Sequence, residues 1–276
     1  MPTRYGRSAY QACGCRQVVR HELPKLAFAG SSPVTRSIDH QRRPSAVVFV
    51  FQEATITESH PIFDTFIFDL DGTILDTMPD LIHVTNETLA HFGYPTHTDA
   101  AIRSFVGDGA QRLIYRALPE GTPETVCAEA LEYWKALYPQ TGHARTRHYA
   151  HMPETLAELK ARRCKLAVLS NKYEGGVKDV IPRFLPDLFE VLHGECEAIP
   201  RKPNPAGLLQ TIQELGSAPE RTAYVGDSAG DMRVAHNAGT YAIGVDWGYN
   251  PVSTLQEAQA GAIISDPAQL LEFARA

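Results

Sequence analysis

From residue 153 to residue 275 the sequence alternates between helical stretches and short apolar runs. Helical patterns at 153–163, 175–184, 204–215 and 229–238 are followed in turn by Lys165–Leu169, Leu188–Leu192, Thr222–Val225 and Tyr241–Val245. A last helix-strand-helix covers 253–275. Strands that alternate with helices predict a parallel sheet covered on both faces. An earlier run, Phe66-Ile67-Phe68, ends in Asp69-Leu70-Asp71-Gly72-Thr73. It reads as a buried first strand with a turn at its carboxyl end.

The segment between that strand and the alternating region is patterned for helices alone. Leu81, Ile82, Leu89 and Phe92 share a face, Asp80 sits in the first turn and Gly93 ends the helix. Further helices are expected at 98–105, 109–118 and 123–138, the last opened by Thr122-Pro123-Glu124. The prediction is an α/β, Rossmann-like parallel-sheet core (61–78 and 149–276) with an α-helical cap (79–148) inserted after the first strand. Residues 1–60 show no sustained period and read as an N-terminal extension, either disordered or a mis-assigned start. Their Arg-rich, acid-poor composition also resembles an organellar transit peptide.

Composition excludes several classes. The longest apolar run, Ala46–Phe51, is far short of the roughly 20 residues that span a bilayer. The formal charge of −6 is uneven. Residues 1–43 hold eight of the 26 basic and two of the 32 acidic residues, so residues 44–276 carry −12. A protein that binds a nucleic-acid backbone shows the opposite sign on its main domain. No nucleic-acid or membrane partner is therefore expected. Five widely spread cysteines argue against a disulfide framework and for a reducing, cytoplasmic setting.

In an open parallel sheet, ligands bind beyond the carboxyl ends of the strands. The residues there are polar. Asp69, Asp71 and Thr73 follow the first strand, and Ser170, Asn171 and Lys172 follow Lys165–Leu169. Lys202 lies in an Arg-Lys-Pro-Asn-Pro loop, and Asp227 and Asp231 follow Thr222–Val225. Four converging carboxylates cannot all stay ionised without compensation. A hard divalent cation such as Mg²⁺ would offset their repulsion and neutralise a phosphoryl group. Lys202 would add a point positive charge and Ser170 a hydroxyl donor. The pair Asp69 and Asp71 fits a two-step reaction. One carboxylate attacks phosphorus, and the other protonates the leaving alcohol and then activates water. Gly72 permits the turn that brings both to one side.

The set DLDGTILDT (69–77), Ser170, Lys202 in KPNP and GDSAGD (226–231) resembles the haloacid dehalogenase superfamily of phosphatases. The resemblance implies that Asp69 is the nucleophile, Asp71 the general acid and base, and Lys202 a third catalytic group. Lys202 and Ser170 would hold phosphoryl oxygens, with Thr73 and Asn171 as further substrate contacts. Mg²⁺ would sit on the Asp69 and Asp227 side chains and the Asp71 backbone carbonyl, with Asp231 supporting the metal site or binding the ion through water. Val106-Gly107-Asp108-Gly109-Ala110 and Trp247-Gly248-Tyr249-Asn250 narrow the likeness to phosphoglycolate phosphatases. They place Gly107 and Gly109 at the substrate, with 2-phosphoglycolate as the implied small phosphorylated metabolite. Another small phosphate ester is the alternative, as is a sugar-phosphate mutase, which would use the same aspartate pair. Arg112 could meet a substrate carboxylate from the cap, although an exposed helix arginine is the simpler reading. Asp76 and Thr77 read as helix caps. His143, His148 and His151 sit at a polar boundary rather than forming a metal site.

Overall fold

A computed structural model of the chain describes residues 60–141 and 143–276. The predicted extension at 1–60, with Cys13 and Cys15, lies outside the described residues apart from its last one. The first strand, β1 (Thr65–Phe68), is buried at every position. Its side chains alternate between faces, so Phe66 and Phe68 enter one apolar cluster and Ile67 the other. These two clusters are the two cores of an α/β sandwich. The remaining elements are β2 (Leu75–Asp76), α1 (Met78–His91), α2 (Asp99–Phe105), α3 (Gly109–Ala117), α4 (Glu124–Thr141), β3 (Arg147–His148), α5 (Met152–Ala161), β4 (Lys165–Tyr173), α6 (Glu174–Phe184), β5 (Val191–Glu195), α7 (Ala206–Glu214), β6 (Thr222–Gly226), α8 (Ala229–Ala238), β7 (Tyr241–Val245), α9 (Val252–Glu257) and β8 (Ala262–Ile264).

Six strands form one sheet in the order β5-β4-β1-β6-β7-β8, and every pairing in it is parallel. The chain leaves β1 toward β4 and β5 on one side, then returns to β6, β7 and β8 on the other. The order therefore reverses at β1, where an open parallel sheet forms a ligand crevice. No helix among the described residues is long and apolar enough to cross a membrane.

Helices α1 to α4 stand between β1 and β4 and have their own core. Leu81, Val84, Ile102, Leu113, Trp134 and Tyr138 are among its members. Trp134 stacks on Tyr138 at 4.8 Å, and its indole N–H donates to Thr85 Oγ1 at 3.2 Å. The chain enters and leaves these helices through a two-residue antiparallel pairing of β2 with β3, which the sequence pattern did not reveal. Asp80 locks the two ends together. Its fully buried carboxylate accepts from Thr146 N and Thr146 Oγ1, both at 2.7 Å, and from Arg145 N at 3.0 Å.

Three further elements differ from the sequence expectation. The strand expected at Leu188–Leu192 is β5, at Val191–Glu195. Asp187 takes a left-handed φ of 60°, and Leu188 and Phe189 pack half-buried against the core before the ladder begins. As an edge strand, β5 carries no long apolar run to mark it. The last helix is a 3-10 turn at Pro267–Glu272, opened by an Asp266–Gln269 capping box. Strand β4 runs on to Tyr173 instead of stopping at Leu169. Leu169 pairs with His193 and Tyr173 with Glu195, so Ser170, Asn171 and Lys172 stand opposite the single Gly194. A Cβ at Gly194 would lie 2.5 Å from the Lys172 carbonyl oxygen and 2.7 Å from Glu174 N. This irregularity needs glycine there.

Replacing Asp80 by Ala would leave the two Thr146 donors unpaired in a buried place and release the Arg145 N–H. Asp80→Ala is expected to cost roughly 3 kcal/mol in urea-unfolding stability. A loss under about 1 kcal/mol would mean that Asp80 is not the lock described.

Candidate active site

The loop after β1 doubles back under its own first residue. Thr73, Ile74 and Leu75 all donate backbone N–H groups to the Leu70 carbonyl. Gly72 takes φ +86°, and a Cβ there would lie 2.7 Å from Asp227 Oδ2. Glycine is required for both the turn and the close approach. Asp69 stays tied to the sheet through its N–H on the Val225 carbonyl at 2.9 Å. The Asp71 carboxylate is held elsewhere. It accepts from Thr77 Oγ1 at 2.6 Å and from Lys172 Nζ at 3.2 Å.

Lys202 is the centre of charge balance. Its buried Nζ lies 2.9 Å from Asp69 Oδ1, 2.7 Å from Asp231 Oδ1 and 2.9 Å from Tyr224 Oη. Burial alone would lower its pKa, but the carboxylates of Asp231 and Asp69 hold it well above the ordinary lysine value. Lys172 is a second buried cation. Burial would lower it too, but Asp71 and Tyr138 outweigh that and raise it.

Carboxylate oxygens of Asp69, Asp227 and Asp231 lie within 4.8 Å of one another. Burial pushes Asp69 up to about 6. Lys202 and the Ser170 hydroxyl oppose the shift, while Asp231 and Asp71 add to it. Burial, Asp231 and Asp69 push Asp227 up to about 7, against donors from Tyr249 and Asn250. Asp69 Oδ1 is buried and receives no well-directed hydrogen bond, although Lys202 Nζ lies 2.9 Å from it as an ion pair. Crowded, under-satisfied oxygen donors of this kind suit a hard divalent cation. Asp69 and Asp227 fit as ligands. Asp231 does not present a free oxygen: Oδ1 takes Lys202, and Oδ2 takes Ser228 N at 2.9 Å and Ser228 Oγ at 2.6 Å. Its geometry suits holding Lys202 and opening α8, where it completes a capping box.

A cavity of about 90 Å³ opens over these groups. At roughly 10–15 Å³ for each water on that measure, it takes a handful of waters or a small metabolite. Asp69, Asp71, Ser170, Asn171, Lys202 and Asp227 line it from the sheet edge. Gly107 and Gly109 line it from the helical insert. Asn171 spans the two sides, its Nδ2 donating to the Gly107 carbonyl at 3.1 Å and its Oδ1 accepting from Lys202 N at 2.8 Å. Thr73 is not on the wall. It is fully buried beneath the loop, and its carbonyl accepts from Trp247 Nε1 at 3.1 Å. Arg112 is exposed and also off the wall, whereas Arg103 is on it.

Tyr249 has a role that the sequence motif did not disclose. Its hydroxyl accepts the N–H groups of Thr77 and Met78, at 2.8 and 2.9 Å, and donates to Asp76 Oδ1 at 3.2 Å. It thereby caps α1 from the far end of the chain, while its own N–H donates to Asp227 Oδ2 at 2.6 Å. Thr77, expected as a cap, makes no side-chain cap bond because its hydroxyl is turned to Asp71. His143 pairs with Asp179 and His151 with Asp266, so the histidines of that stretch face different acids.

The haloacid dehalogenase-like hydrolase family model matches residues 66–245. The chain belongs to that family. A protein from Vibrio cholerae serotype O1 named phosphoglycolate phosphatase is 35% identical over 213 residues, covering 74% of this chain and 94% of that protein. A Pseudomonas putida protein of the same name is 31% identical, covering 74% of this chain and 77% of that one. The crystal structure of a predicted phosphoglycolate phosphatase from Haemophilus somnus 129pt superposes with a TM-score of 0.70 at 28% identity. It covers 76% of this chain and 97% of its own. The chain is thus a phosphatase of the haloacid dehalogenase-like family, and an enzyme rather than a binding module.

Tyr249→Phe keeps the ring on the cavity wall but removes the hydroxyl that caps α1, leaving Asp76 Oδ1 as the other acceptor of the Met78 N–H. It is expected to lower unfolding stability by about 1–2 kcal/mol in a urea titration. An unchanged midpoint would show that the hydroxyl does not hold α1.

Proposed function

We propose that this phosphatase hydrolyses 2-phosphoglycolate through an aspartyl-phosphate intermediate, with Mg²⁺ as cofactor. The carrying observation is the placement of buried Asp69, ion-paired to Lys202 at 2.9 Å and close to Asp227, on the floor of a small cavity. The names of the relatives from Vibrio cholerae and Pseudomonas putida support the choice of substrate.

In this reading an Asp69 oxygen attacks phosphorus, and the new O–P bond forms as the bond to the glycolate oxygen breaks. Asp71 gives its proton to that leaving oxygen. It then takes a proton from water, whose oxygen attacks the phosphoryl group and frees Asp69. Thr77 and Lys172 hold the Asp71 carboxylate for both transfers. Lys202 and Ser170 bind phosphoryl oxygens, and Asp231 keeps Lys202 in place. Asp69, Asp227 and the Asp71 carbonyl would hold Mg²⁺, which would neutralise charge on the phosphoryl group. The helical insert acts as a cap that closes off water, and Asn171 joins it to the Lys202 loop through Gly107.

Wild-type protein with Mg²⁺ is expected to release inorganic phosphate from 2-phosphoglycolate. Asp69→Asn is expected to lower kcat on the order of 10⁴-fold or more while leaving the circular dichroism spectrum unchanged. Wild-type-like turnover by that variant would exclude the covalent route. Isomerised phosphate esters in place of free phosphate would indicate a mutase.

A further inference from the structure

We propose that Arg103 binds the substrate carboxylate and so selects 2-phosphoglycolate over uncharged phosphate esters. This rests on the proposed substrate and adds the residue that recognises its second anionic group. Three cations line the cavity: Lys172, Lys202 and Arg103. Lys202 is paired with Asp69 and Asp231, and Lys172 with Asp71. Both lie on the floor, where the phosphoryl chemistry is placed. Arg103 stands on the opposite side, in the last turn of α2, and is exposed. Among the described residues no carboxylate lies within ion-pair distance of it.

Its surroundings sharpen the point. The other insert residues on the wall, including Leu81, Val106, Leu113 and Trp134, are uncharged. Arg116, the nearby alternative, is tied to Asp108 at 2.5 Å and to the Phe105 carbonyl at 3.1 Å. The Arg103 guanidinium lies 5.5 Å from the centre of the Tyr249 ring. That ring is itself fixed by Asp227 through its N–H and by α1 through its hydroxyl. A guanidinium resting on a fixed aromatic face keeps its N–H fork for another partner, and a carboxylate matches that fork in two parallel bonds. Phosphoryl group and carboxylate are separated by one methylene in 2-phosphoglycolate. A floor that takes the first and an unpaired cation on the roof that takes the second suit a compact, doubly anionic substrate.

The test compares 2-phosphoglycolate with 2-hydroxyethyl phosphate, in which CH₂OH replaces the carboxylate, in wild type, Arg103→Lys and Arg103→Met. The wild type is expected to favour 2-phosphoglycolate. Arg103→Met is expected to lower kcat/KM for that substrate roughly tenfold to a hundredfold, mainly through KM. The value for 2-hydroxyethyl phosphate should stay within about twofold. Arg103→Lys should fall between, keeping the charge and losing the fork. Equal losses on both esters, or no loss on either, would overturn the assignment to Arg103 while leaving the substrate intact. A wild type with no preference would instead overturn the substrate reading itself, and the role of Arg103 with it.

Discussion

The ion pairs of Lys202 hold the site together. One buried ammonium lies within 3 Å of carboxylates on two different strand ends, Asp69 after β1 and Asp231 after β6. Without it, three buried carboxylates would face one another across less than 5 Å of low-dielectric space. Lys202 comes from the loop before α7, so the sheet topology must bring β1, β6 and that loop to one edge. The strand-order reversal at β1 does so. Burial first, and repulsion from neighbouring carboxylates second, still raise Asp69 and Asp227 despite the ammonium.

A second layer of contacts ties the helical insert to this centre. Tyr249, far along the chain, caps α1 with its hydroxyl and steadies Asp227 with its backbone. Asn171 uses both ends of its amide to join Gly107 in the insert to the Lys202 backbone. Lys172 links Asp71 to Tyr138 of the insert core. Each is a single polar residue whose hydrogen bonds reach different parts of the fold, Lys172 doing so with one ammonium. Motion of the insert would therefore be felt at Asp71, Asp227 and Lys202 together.

Much of this was legible in the sequence. Asp69 and Asp71 follow β1 and Asp227 follows β6, two strand ends that the alternating pattern located, whereas Ser170 lies within the longer β4 and Lys202 in the loop before α7. What stayed hidden depended on partners distant in sequence. Asp80 reads as an ordinary first-turn acid until Thr146 folds back onto it. Lys172 reads in the sequence only as a polar residue after a strand, and the fold shows it buried, with its Nζ on Asp71 and Tyr138. Arg112 and Arg103 are indistinguishable as helix arginines, and only the packing of α2 beside Tyr249 separates them. The two-residue strands β2 and β3 are too short to carry a pattern. Edge strand β5 lacks the continuous apolar signal of a central strand.

The central claim is that Asp69 and Asp227 form an under-compensated pair of carboxylates that a divalent cation completes. Thermal unfolding of wild type and Asp227→Asn, each with and without Mg²⁺, tests it most directly. Removing one charge should relieve repulsion, so Asp227→Asn is expected to melt higher than wild type without metal. Mg²⁺ should raise the wild-type Tm and leave the variant nearly unmoved. A metal-free variant less stable than wild type, together with a Mg²⁺ shift equal in both proteins, would contradict the account.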